Sequence, residues 1–267
     1  MPDFTRLDTL RAQHPLVHCI DNQVTANDCA NLALAVGASP MMASAPEEIA
    51  DITAASRATV INTGTPDNEK FRACLGWGQA AMNAGQPIVL DPVGIGASRW
   101  RLQSVMALLH MFTPTILRCN MGEALALLQK LGVEQGVDST ADFTLEERTA
   151  AAAALARHRR TTVLLSGPED VISDGKTSWR VSGGSSQSAR ITGTGCMLSV
   201  LCGAFAAVEP NPVDAALLAS SFWKLCSQRA EAAAQSRGAG TYHAALFDAA
   251  STLTSAELAA EAQVQQL

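Results

Sequence analysis

Short apolar segments alternate with longer alanine- and leucine-rich segments over the first two thirds of the chain. The short segments are enriched in β-branched residues, which is typical of strands. They cover residues 16–20, 59–62, 87–91, 115–118 and 161–165. The longer segments have helical length and cover residues 47–57, 69–84, 101–110, 121–131 and 146–159. This alternation predicts βαβ units, because two parallel strands need a long crossover between them.

The predicted strands are apolar on both faces, which favours a mostly parallel central sheet that is covered by helices on each side. Right-handed crossovers then predict a doubly wound, three-layer α/β/α sandwich. After Ser166 the pattern changes, and residues 170–181 are predicted to add an antiparallel hairpin whose turn is Asp174–Gly175. The sheet should therefore have an antiparallel edge.

The chain from Cys196 onward has a pattern that predicts an almost wholly helical segment, broken only at residues 209–212 and 236–240. No stretch between the predicted elements is long or polar enough to separate two domains, and no internal repeat is found. We therefore expect a single domain over residues 1–267.

The composition narrows the class of protein. The chain has 267 residues, of which 48% are apolar, so it can build a sizeable core. Its net charge of −6 argues against nucleic acid or an anionic membrane as the main partner, because either would favour a basic surface. The first residues lack a signal-peptide pattern, and no apolar window is long enough to span a bilayer. A soluble, cytoplasmic protein is the expectation.

The seven cysteines form no Cys-x-x-Cys pair, so neither disulfides nor a zinc site is expected. Most are predicted to be small buried hydrophobic residues. Cys196 differs, because it ends a turn with two glycines, Gly193 and Gly195, just before an apolar helical pattern. Glycines allow the backbone to approach a ligand closely, and the first N–H groups of a helix are unpaired. This turn is therefore predicted to bind an anion, with Cys196 next to a reacting group.

Polar or glycine residues follow each of the five predicted strands. They are His18–Asn22, Asn62–Thr65, Asp91–Gly94, Arg118–Asn120 and Ser166–Gly167. Because ligands bind outside the carboxyl ends of the strands in open α/β sheets, we expect these residues to converge on one edge, together with the glycine turn. Any one of them alone is more simply a loop or helix-cap residue, but the agreement of five strands favours a binding site.

Asp91 and Glu123 supply carboxylates at this edge. Each has a simpler interpretation, Asp91 as a turn former and Glu123 as a favourable charge in the first turn of a helix. Together they could hold Mg²⁺ through water, since this ion keeps much of its hydration shell and binds one or two carboxylates plus substrate phosphates. Arg118, at a strand end, is suited to bidentate contact with phosphate oxygens.

The sequence contains neither the Gly-x-x-x-x-Gly-Lys-Ser/Thr loop of Walker-type NTPases nor an early Gly-x-Gly-x-x-Gly of dinucleotide-binding folds. Instead, five motifs occur in order over nearly the whole chain. They are residues 16–22 (LVHCIDN), 37–42 (GASPMM), 90–94 (LDPVG), 118–123 (RCNMGE) and 192–196 (TGTGC). In these motifs the chain resembles the hydroxyethylthiazole kinase family of thiamine salvage, which belongs to the ribokinase-like superfamily.

The resemblance implies transfer of the ATP γ-phosphate to the primary hydroxyl of 4-methyl-5-(2-hydroxyethyl)thiazole. The residues that it implies at the thiazole substrate are Met42, Gly193 and Asn22. Those implied at the nucleotide are Arg118, Ser166, Asn120, Thr194 and Gly195. Those implied at Mg²⁺ are Asp91 and Glu123. The family also forms a homotrimer with substrate pockets between neighbouring subunits, and it lacks the lid of other ribokinase-like enzymes.

Three positions depart from the family pattern. Cys119 stands where glycine is usual, Ser166 where threonine is usual, and Asp21 where threonine is common. Ser166 keeps the hydroxyl, whereas Asp21 adds a negative charge near the proposed substrate edge. Ribokinase-like relatives commonly have an aspartate where Cys196 stands, as the general base for the acceptor hydroxyl. We therefore expect Cys196 to be a weak base or a positioning group.

From the sequence, three other functions stay open. One is a kinase for a related small alcohol, such as a hydroxymethylpyrimidine or a pyridoxal-like vitamer. Another is a hydrolase or transferase with Cys196 as covalent nucleophile, for which His18 is the candidate base at the edge. The third is a non-catalytic binding protein, and the retention of both Asp91 and Glu123 argues against it.

Overall fold

The computed structural model describes residues 1–130, 143–235 and 237–267, which form one nine-stranded sheet with helices on both faces. The strands are β1 (Leu16–Ile20), β2 (Ser39–Met41), β3 (Ala58–Asn62), β4 (Ile88–Asp91), β5 (Ile116–Asn120), β6 (Thr162–Ser166), β7 (Asp170–Ser173), β8 (Ser178–Ser182) and β9 (Gln263–Gln266). The α-helices are α1 (Arg6–Gln13), α2 (Ala26–Val36), α3 (Ile49–Ala55), α4 (Asn68–Asn83), α5 (Arg99–Met111), α6 (Met121–Lys130), α7 (Leu145–Arg159), α8 (Thr194–Ala206), α9 (Pro212–Ala234), α10 (Ala239–Thr252) and α11 (Ser255–Glu261). Short 3₁₀ helices cover Pro46–Glu48, Ile95–Ala97 and Ser186–Arg190.

The order of the strands across the sheet is β2-β1-β3-β4-β5-β6-β7-β8-β9. The pairs from β2 to β6 are parallel, and β7, β8 and β9 extend the sheet with antiparallel pairs. The last residues of neighbouring parallel strands stand opposite each other, Asn62 opposite Asp91 and Asn120 opposite Ser166. The carboxyl ends of β3 to β6 therefore form one continuous edge.

Two hydrophobic cores lie on the two faces of the sheet. The first core includes residues of α1, α2, α8, α9 and α10, and the second includes residues of α3 to α7. Successive strand residues alternate between the two cores, so that Val60 lies in the first and Ile61 in the second. This alternation follows from the pleat of a strand, in which neighbouring side chains point to opposite faces.

Helix α8 packs closely on β3 and β4, and every residue from Cys196 to Ala206 is buried. Three small residues, Gly195, Ser199 and Gly203, are spaced four apart and face the sheet. A Cβ atom on Gly203 would lie 2.4 Å from Cγ2 of Val60, so no side chain fits there. The stripe of small residues lets α8 lie close to the strands, and this places its N-terminus over their carboxyl ends.

The predicted three-layer sandwich, its mostly parallel sheet and its antiparallel hairpin are confirmed. Strands β2 and β9 are not predicted by the pattern, because β2 has only three residues and β9 is rich in glutamine. The prediction of an almost wholly helical C-terminal segment is therefore wrong at residues 263–266, which pair with the open edge of β8. Leu131, the last residue of a predicted helix, and Ser236, the first residue of a predicted break, lie outside the described residues.

None of the described helices combines the length and the apolar character that crossing a bilayer needs.

We expect Gly203→Ala to lower the free energy of unfolding by about 1–3 kcal/mol, because the new methyl group must displace Val60 or lift α8 from the sheet. The matched control is Gly240→Ala, at an exposed position in the first turn of α10, where a Cβ atom meets nothing within 4 Å. The control should change stability by no more than about 0.5 kcal/mol. Urea unfolding followed by circular dichroism checks both, and equal stability of the two variants would contradict the close packing of α8.

Candidate active site

Four polar side chains project from the ends of neighbouring strands toward α8. Val60, Val89, Ile116 and Leu164 belong to the first core, which includes α8. Because strand side chains alternate, the residues two positions further on point the same way. These residues are Asn62, Asp91, Arg118 and Ser166. The polar edge predicted from the sequence therefore lies directly beneath the N-terminus of α8.

Asp91 is fully buried at the centre of this edge. Both of its carboxylate oxygens lie 3.3 Å from Nη1 of Arg118. Its Oδ2 also accepts the hydroxyl of Ser199 on α8 at 2.7 Å and the side-chain amide of Asn62 at 3.3 Å. Asp91 therefore connects three strands to α8, and none of its oxygens lacks a protein donor.

The guanidinium of Arg118 continues the network to the next strand, since its Nη2 donates to the hydroxyl of Ser166 at 2.6 Å. Burial alone would lower the pKa of Arg118, but the charges of Asp91 and Glu123 raise it overall. A Cβ atom on Gly195 would lie 2.5 Å from Nη2, so the guanidinium fills the space beneath the first turn of α8. The resemblance implies that Arg118 binds the nucleotide, whereas the groups that it contacts in the structure are Asp91 and Ser166.

Cys196, in the first turn of α8, is 8% exposed. Its Sγ accepts a hydrogen bond from the side-chain amide of Asn22, at 3.2 Å. Burial, and then the negative charge of Asp91, raise the pKa of the thiol above its usual range. The thiol is therefore protonated at neutral pH, which makes it a weak base and a poor nucleophile.

Asn22 has a second role at the same place. Its Oδ1 accepts the backbone N–H groups of Val24 and Thr25, at 3.0 and 3.1 Å, just before α2 begins. The side-chain amide also lies 3.4 Å from Oδ1 of Asn62. The chain of hydrogen bonds thus runs from Asn22 through Asn62 and on to Asp91.

His18, the candidate base for a nucleophilic cysteine, is fully buried. Its Nε2 lies 2.8 Å from the carbonyl of Ala43, so this nitrogen carries the proton and donates it. Burial lowers the pKa of His18, and its ring packs 3.9 Å from that of Trp77. Because the imidazole makes these structural contacts, His18 does not support the hypothesis that Cys196 is a covalent nucleophile with a histidine base.

Glu123 acts as a helix cap. Its Oε2 accepts the backbone N–H of Asn120 at 2.9 Å, and Oδ1 of Asn120 accepts the N–H of Glu123 at 2.9 Å, which is a capping box at the start of α6. Its Oε1 accepts the N–H of Gly94 at 2.8 Å. The simpler interpretation of Glu123 as a charge at a helix N-terminus is thus realised, and the same contacts fix its carboxylate near Asp91.

The two carboxylates fit a hydrated Mg²⁺ ion. Burial, and then the charge of Asp91, raise the pKa of Glu123, because two negative charges face the single positive charge of Arg118. A further cation is therefore electrostatically favourable. Since the oxygens of Asp91 and Glu123 already accept protein hydrogen bonds, contact through water suits them better than direct ligation. Over residues 1–130, 143–235 and 237–267, no three His, Cys, Asp or Glu residues are grouped to hold a metal on their own.

Gly193, the N-cap residue just before α8, has a φ of +87°. A Cβ atom at this position would lie 2.3 Å from Cγ2 of Thr25, so glycine is required for both its backbone angle and its contact. The first backbone N–H groups of the helix, from Thr194 to Cys196, have no acceptor within the helix. They are available to an anion, as the sequence predicts.

Two cavities lie at this edge of the sheet, and residues of the turn line the first of them. One, of about 540 Å³, has among its lining residues Arg118, Ser166, Thr194, Gly195, Trp223 and Lys224. The other, of about 700 Å³, has among its lining residues Cys19, Asp21, Met42, Ala43, Lys70 and Arg72. Cys196 follows Gly195 of the first cavity and bonds Asn22, which follows Asp21 of the second. The thiol therefore lies between residues that line the first cavity and residues that line the second.

A third cavity, of about 590 Å³, includes Arg57, Pro87 and Thr115. These residues precede β3, β4 and β5, so the cavity lies at the amino ends of the strands. It contains none of the predicted site residues.

Two residues of the site are missed by sequence reasoning. Lys70 donates to the carbonyls of Asp21 at 2.7 Å and Gly64 at 2.5 Å, and so joins the loops that follow β1 and β3. A signal was available, because a cation in the first turn of a helix opposes the helix dipole. Ser199 is a polar residue in an apolar helix, four positions after Gly195, and that spacing could have indicated its contact with the sheet.

Comparison with known proteins gives a consistent result. The model of the hydroxyethylthiazole kinase family matches residues 7–256. A hydroxyethylthiazole kinase of Listeria monocytogenes serotype 4a (strain HCC23) is 39% identical over 100% of this chain and 98% of its own length. Among solved structures, that of a hydroxyethylthiazole kinase protein from Pyrococcus horikoshii OT3 superposes with a TM-score of 0.89 at 35% identity, covering 99% of this chain and 98% of the other.

A more distant likeness concerns the fold alone. The pyridoxal kinase of Staphylococcus aureus in complex with AMP-PCP has a TM-score of 0.62 at 14% identity, over 80% of this chain and 88% of that one. The α/β architecture is therefore shared beyond the close relatives, as the resemblance to the ribokinase-like superfamily implies.

Proposed function

The chain belongs to the hydroxyethylthiazole kinase family, and we propose that it transfers the γ-phosphate of ATP to the primary hydroxyl of 4-methyl-5-(2-hydroxyethyl)thiazole in thiamine salvage. The observation that carries the proposal is the pair of cavities at the carboxyl ends of the strands, with Cys196 between residues that line the one and residues that line the other. One cavity can take the nucleotide and the other the acceptor alcohol. In this proposal the phosphoryl group passes from one to the other beside Cys196.

The nucleotide occupies the cavity of about 540 Å³ in this proposal. Its phosphates lie against the first backbone N–H groups of α8, at Thr194 and Gly195, where the helix dipole favours negative charge. Arg118 and Ser166 lie beneath this position, and Asn120 lies at the same edge of the sheet. Fixed donors of this kind stabilise the charge of the transition state without reorganising during the reaction.

Asp91 and Glu123 would hold Mg²⁺ through water on the same side. When bound, the ion would neutralise charge on the β- and γ-phosphate oxygens. Arg118 keeps the carboxylate of Asp91 in place, and the capping contacts of Asn120 and Gly94 keep that of Glu123 in place.

The acceptor occupies the cavity beside Met42, with Gly193 and Asn22 toward the reacting end. In the reaction the hydroxyl oxygen forms a bond to the γ-phosphorus, the bond from that phosphorus to the β-phosphate bridge breaks, and the hydroxyl proton leaves. Cys196 is the nearby group that can accept this proton once it is ionised. Because burial and Asp91 raise the pKa of the thiol, only a small fraction is ionised at neutral pH, so Cys196 is a weak base.

A homotrimer with acceptor pockets between subunits completes the proposal. Three observations support an interface beside the acceptor cavity: β2 is an edge strand of the sheet, and both Met42 and Val24 are exposed, by 39% and 65%. Light scattering should give three times the chain mass of 27.9 kDa. A monomeric mass would contradict this part of the proposal.

The reaction is tested by assaying phosphorylation with Mg²⁺ and ATP on hydroxyethylthiazole, hydroxymethylpyrimidine and pyridoxal. We expect kcat/KM for the thiazole alcohol to exceed that for the others by at least about tenfold, since the shape of the acceptor cavity decides the preference. A higher kcat/KM for one of the other alcohols would mean that this alcohol, and not the thiazole, is the preferred substrate. Nucleotide and thiazole binding without any phosphorylation would instead favour a non-catalytic protein.

The role of Cys196 is tested with Cys196→Ala and Cys196→Asp. We expect the alanine variant to lose roughly 10- to 10,000-fold in kcat, the usual effect of lost acid–base help, and the aspartate variant to keep or exceed the wild-type rate. Because the pKa of the thiol is raised, wild-type kcat should climb as pH increases above neutral, and the aspartate variant should lack this climb. Cys202→Ala, a buried cysteine further along α8, is the matched control and should keep its rate. An inactive Cys196→Asp enzyme would contradict the base role.

A further inference from the structure

Lys224 of α9 lies at the wall of the nucleotide-side cavity, and none of the sequence motifs points to it. Its ammonium donates to the carbonyls of Gly167 at 2.7 Å and Pro168 at 2.9 Å, and it lies 3.1 Å from Oδ1 of Asp170. An ammonium group has three N–H donors, and these three acceptors occupy all of them. Lys224 therefore has no donor left for a phosphate group.

Asp170, the first residue of β7, is only 2% exposed and completes this cluster. Its Oδ1 accepts the backbone N–H of Gly167 at 2.9 Å, and its Oδ2 accepts the hydroxyl of Ser220 at 2.8 Å. Ser220 lies one turn before Lys224 on α9. The turn at residues 166–169 thus has one N–H and two carbonyl groups bonded to an ion pair whose carboxylate is buried.

Arg148 of α7 contacts the same turn from the opposite side and restricts its position. Its Nη2 donates to the carbonyl of Glu169 at 2.9 Å. A Cβ atom on Gly167 would lie 2.3 Å from this nitrogen, so the turn has no room to shift toward α7. The position of Ser166, which bonds Arg118, is therefore set from both sides of the turn.

The aliphatic part of Lys224 reaches the other wall of the cavity. That wall includes Gly183 and Gly184, which have φ values of +99° and +87°. A Cβ atom on Gly184 would lie 2.9 Å from Cδ of Lys224, so glycine lets the loop rest directly on the lysine stem. Lys224 therefore forms hydrogen bonds to one wall of the cavity through its ammonium group and packs against the other wall through its aliphatic chain.

We propose that Lys224 is a positioning residue for nucleotide binding, which fixes the turn at residues 166–169 relative to the loop at residues 183–184 without contacting the phosphates. This inference rests on the proposed binding of the nucleotide in this cavity. If Lys224 acts in this way, its loss should weaken binding of every ligand that occupies the cavity, with or without phosphates. Loss of a direct phosphate contact would instead impair only the ligands that carry phosphates.

The test measures binding of ATP, ADP and adenosine by competition with a fluorescent ATP analogue, in the absence of acceptor. We expect Lys224→Met to weaken all three by the same factor, roughly 10- to 100-fold, as the loss of hydrogen bonds to a charged group implies. Lys176→Met, in the exposed turn between β7 and β8, is the matched control and should bind all three like the wild type.

A loss for ATP and ADP that adenosine does not share would overturn the proposal, because it indicates a direct phosphate contact. Unchanged affinity for all three ligands would overturn it as well. If Lys224→Met does not fold, the double variant Asp170→Asn/Lys224→Met carries the same test, since it removes the unpaired buried carboxylate. A wild-type protein that binds no nucleotide contradicts the proposed function itself, which separates that failure from failure of the role of Lys224.

Discussion

The buried ion pair between Asp91 and Arg118 is the interaction on which the site depends. Each ion would be costly to bury alone, because desolvation of a charge in the interior costs several kcal/mol. The pair is supported here by further hydrogen bonds, from Ser199 and Asn62 to the carboxylate and from Nη2 of the guanidinium to Ser166, while Nε of Arg118 has no partner among the described residues. One ion pair thereby fixes the ends of four strands and the first turns of α8.

The pair also bears on the role proposed for Cys196. Its thiol is a poor base because it is buried near the charge of Asp91, yet the hydrogen bond from Asn22 holds it between residues that line the two cavities. In phosphoryl transfer, positioning and charge stabilisation contribute more than proton abstraction. A rigid edge with preorganised donors suits that chemistry better than a mobile site with a strong base.

Much of this arrangement could be predicted from the sequence. The alternation of apolar segments predicts the parallel strands, and the polar residues that end them predict the binding edge, because both depend on local periodicity. The conformation at Gly193 is also a local property. Strand β9 could not be predicted in the same way, since its glutamines pair with β8 only after the chain has returned to the sheet.

The partners of charged residues were harder to predict than their locations. Arg118 is suited to phosphate by its chemistry, but its nearest anion is Asp91, which lies on the neighbouring strand β4 and 27 residues away in the sequence. Lys70 of α4 binds a main-chain carbonyl of the loop that follows β1, and Lys224 of α9 binds one of the turn between β6 and β7. Such contacts follow from how the elements pack, and no spacing within one segment reveals them.

The most direct measurement of the central claim is a double-mutant cycle on the free energy of unfolding, with Asp91→Asn, Arg118→Met and the variant that carries both. Arg118→Met should cost about 3–5 kcal/mol, because it leaves a buried carboxylate without its partner. The double variant should recover much of this loss, with a coupling energy of at least about 2 kcal/mol, while still lacking kinase activity. Losses that simply add, with a coupling energy below about 0.5 kcal/mol, would contradict the claim that this ion pair organises the site.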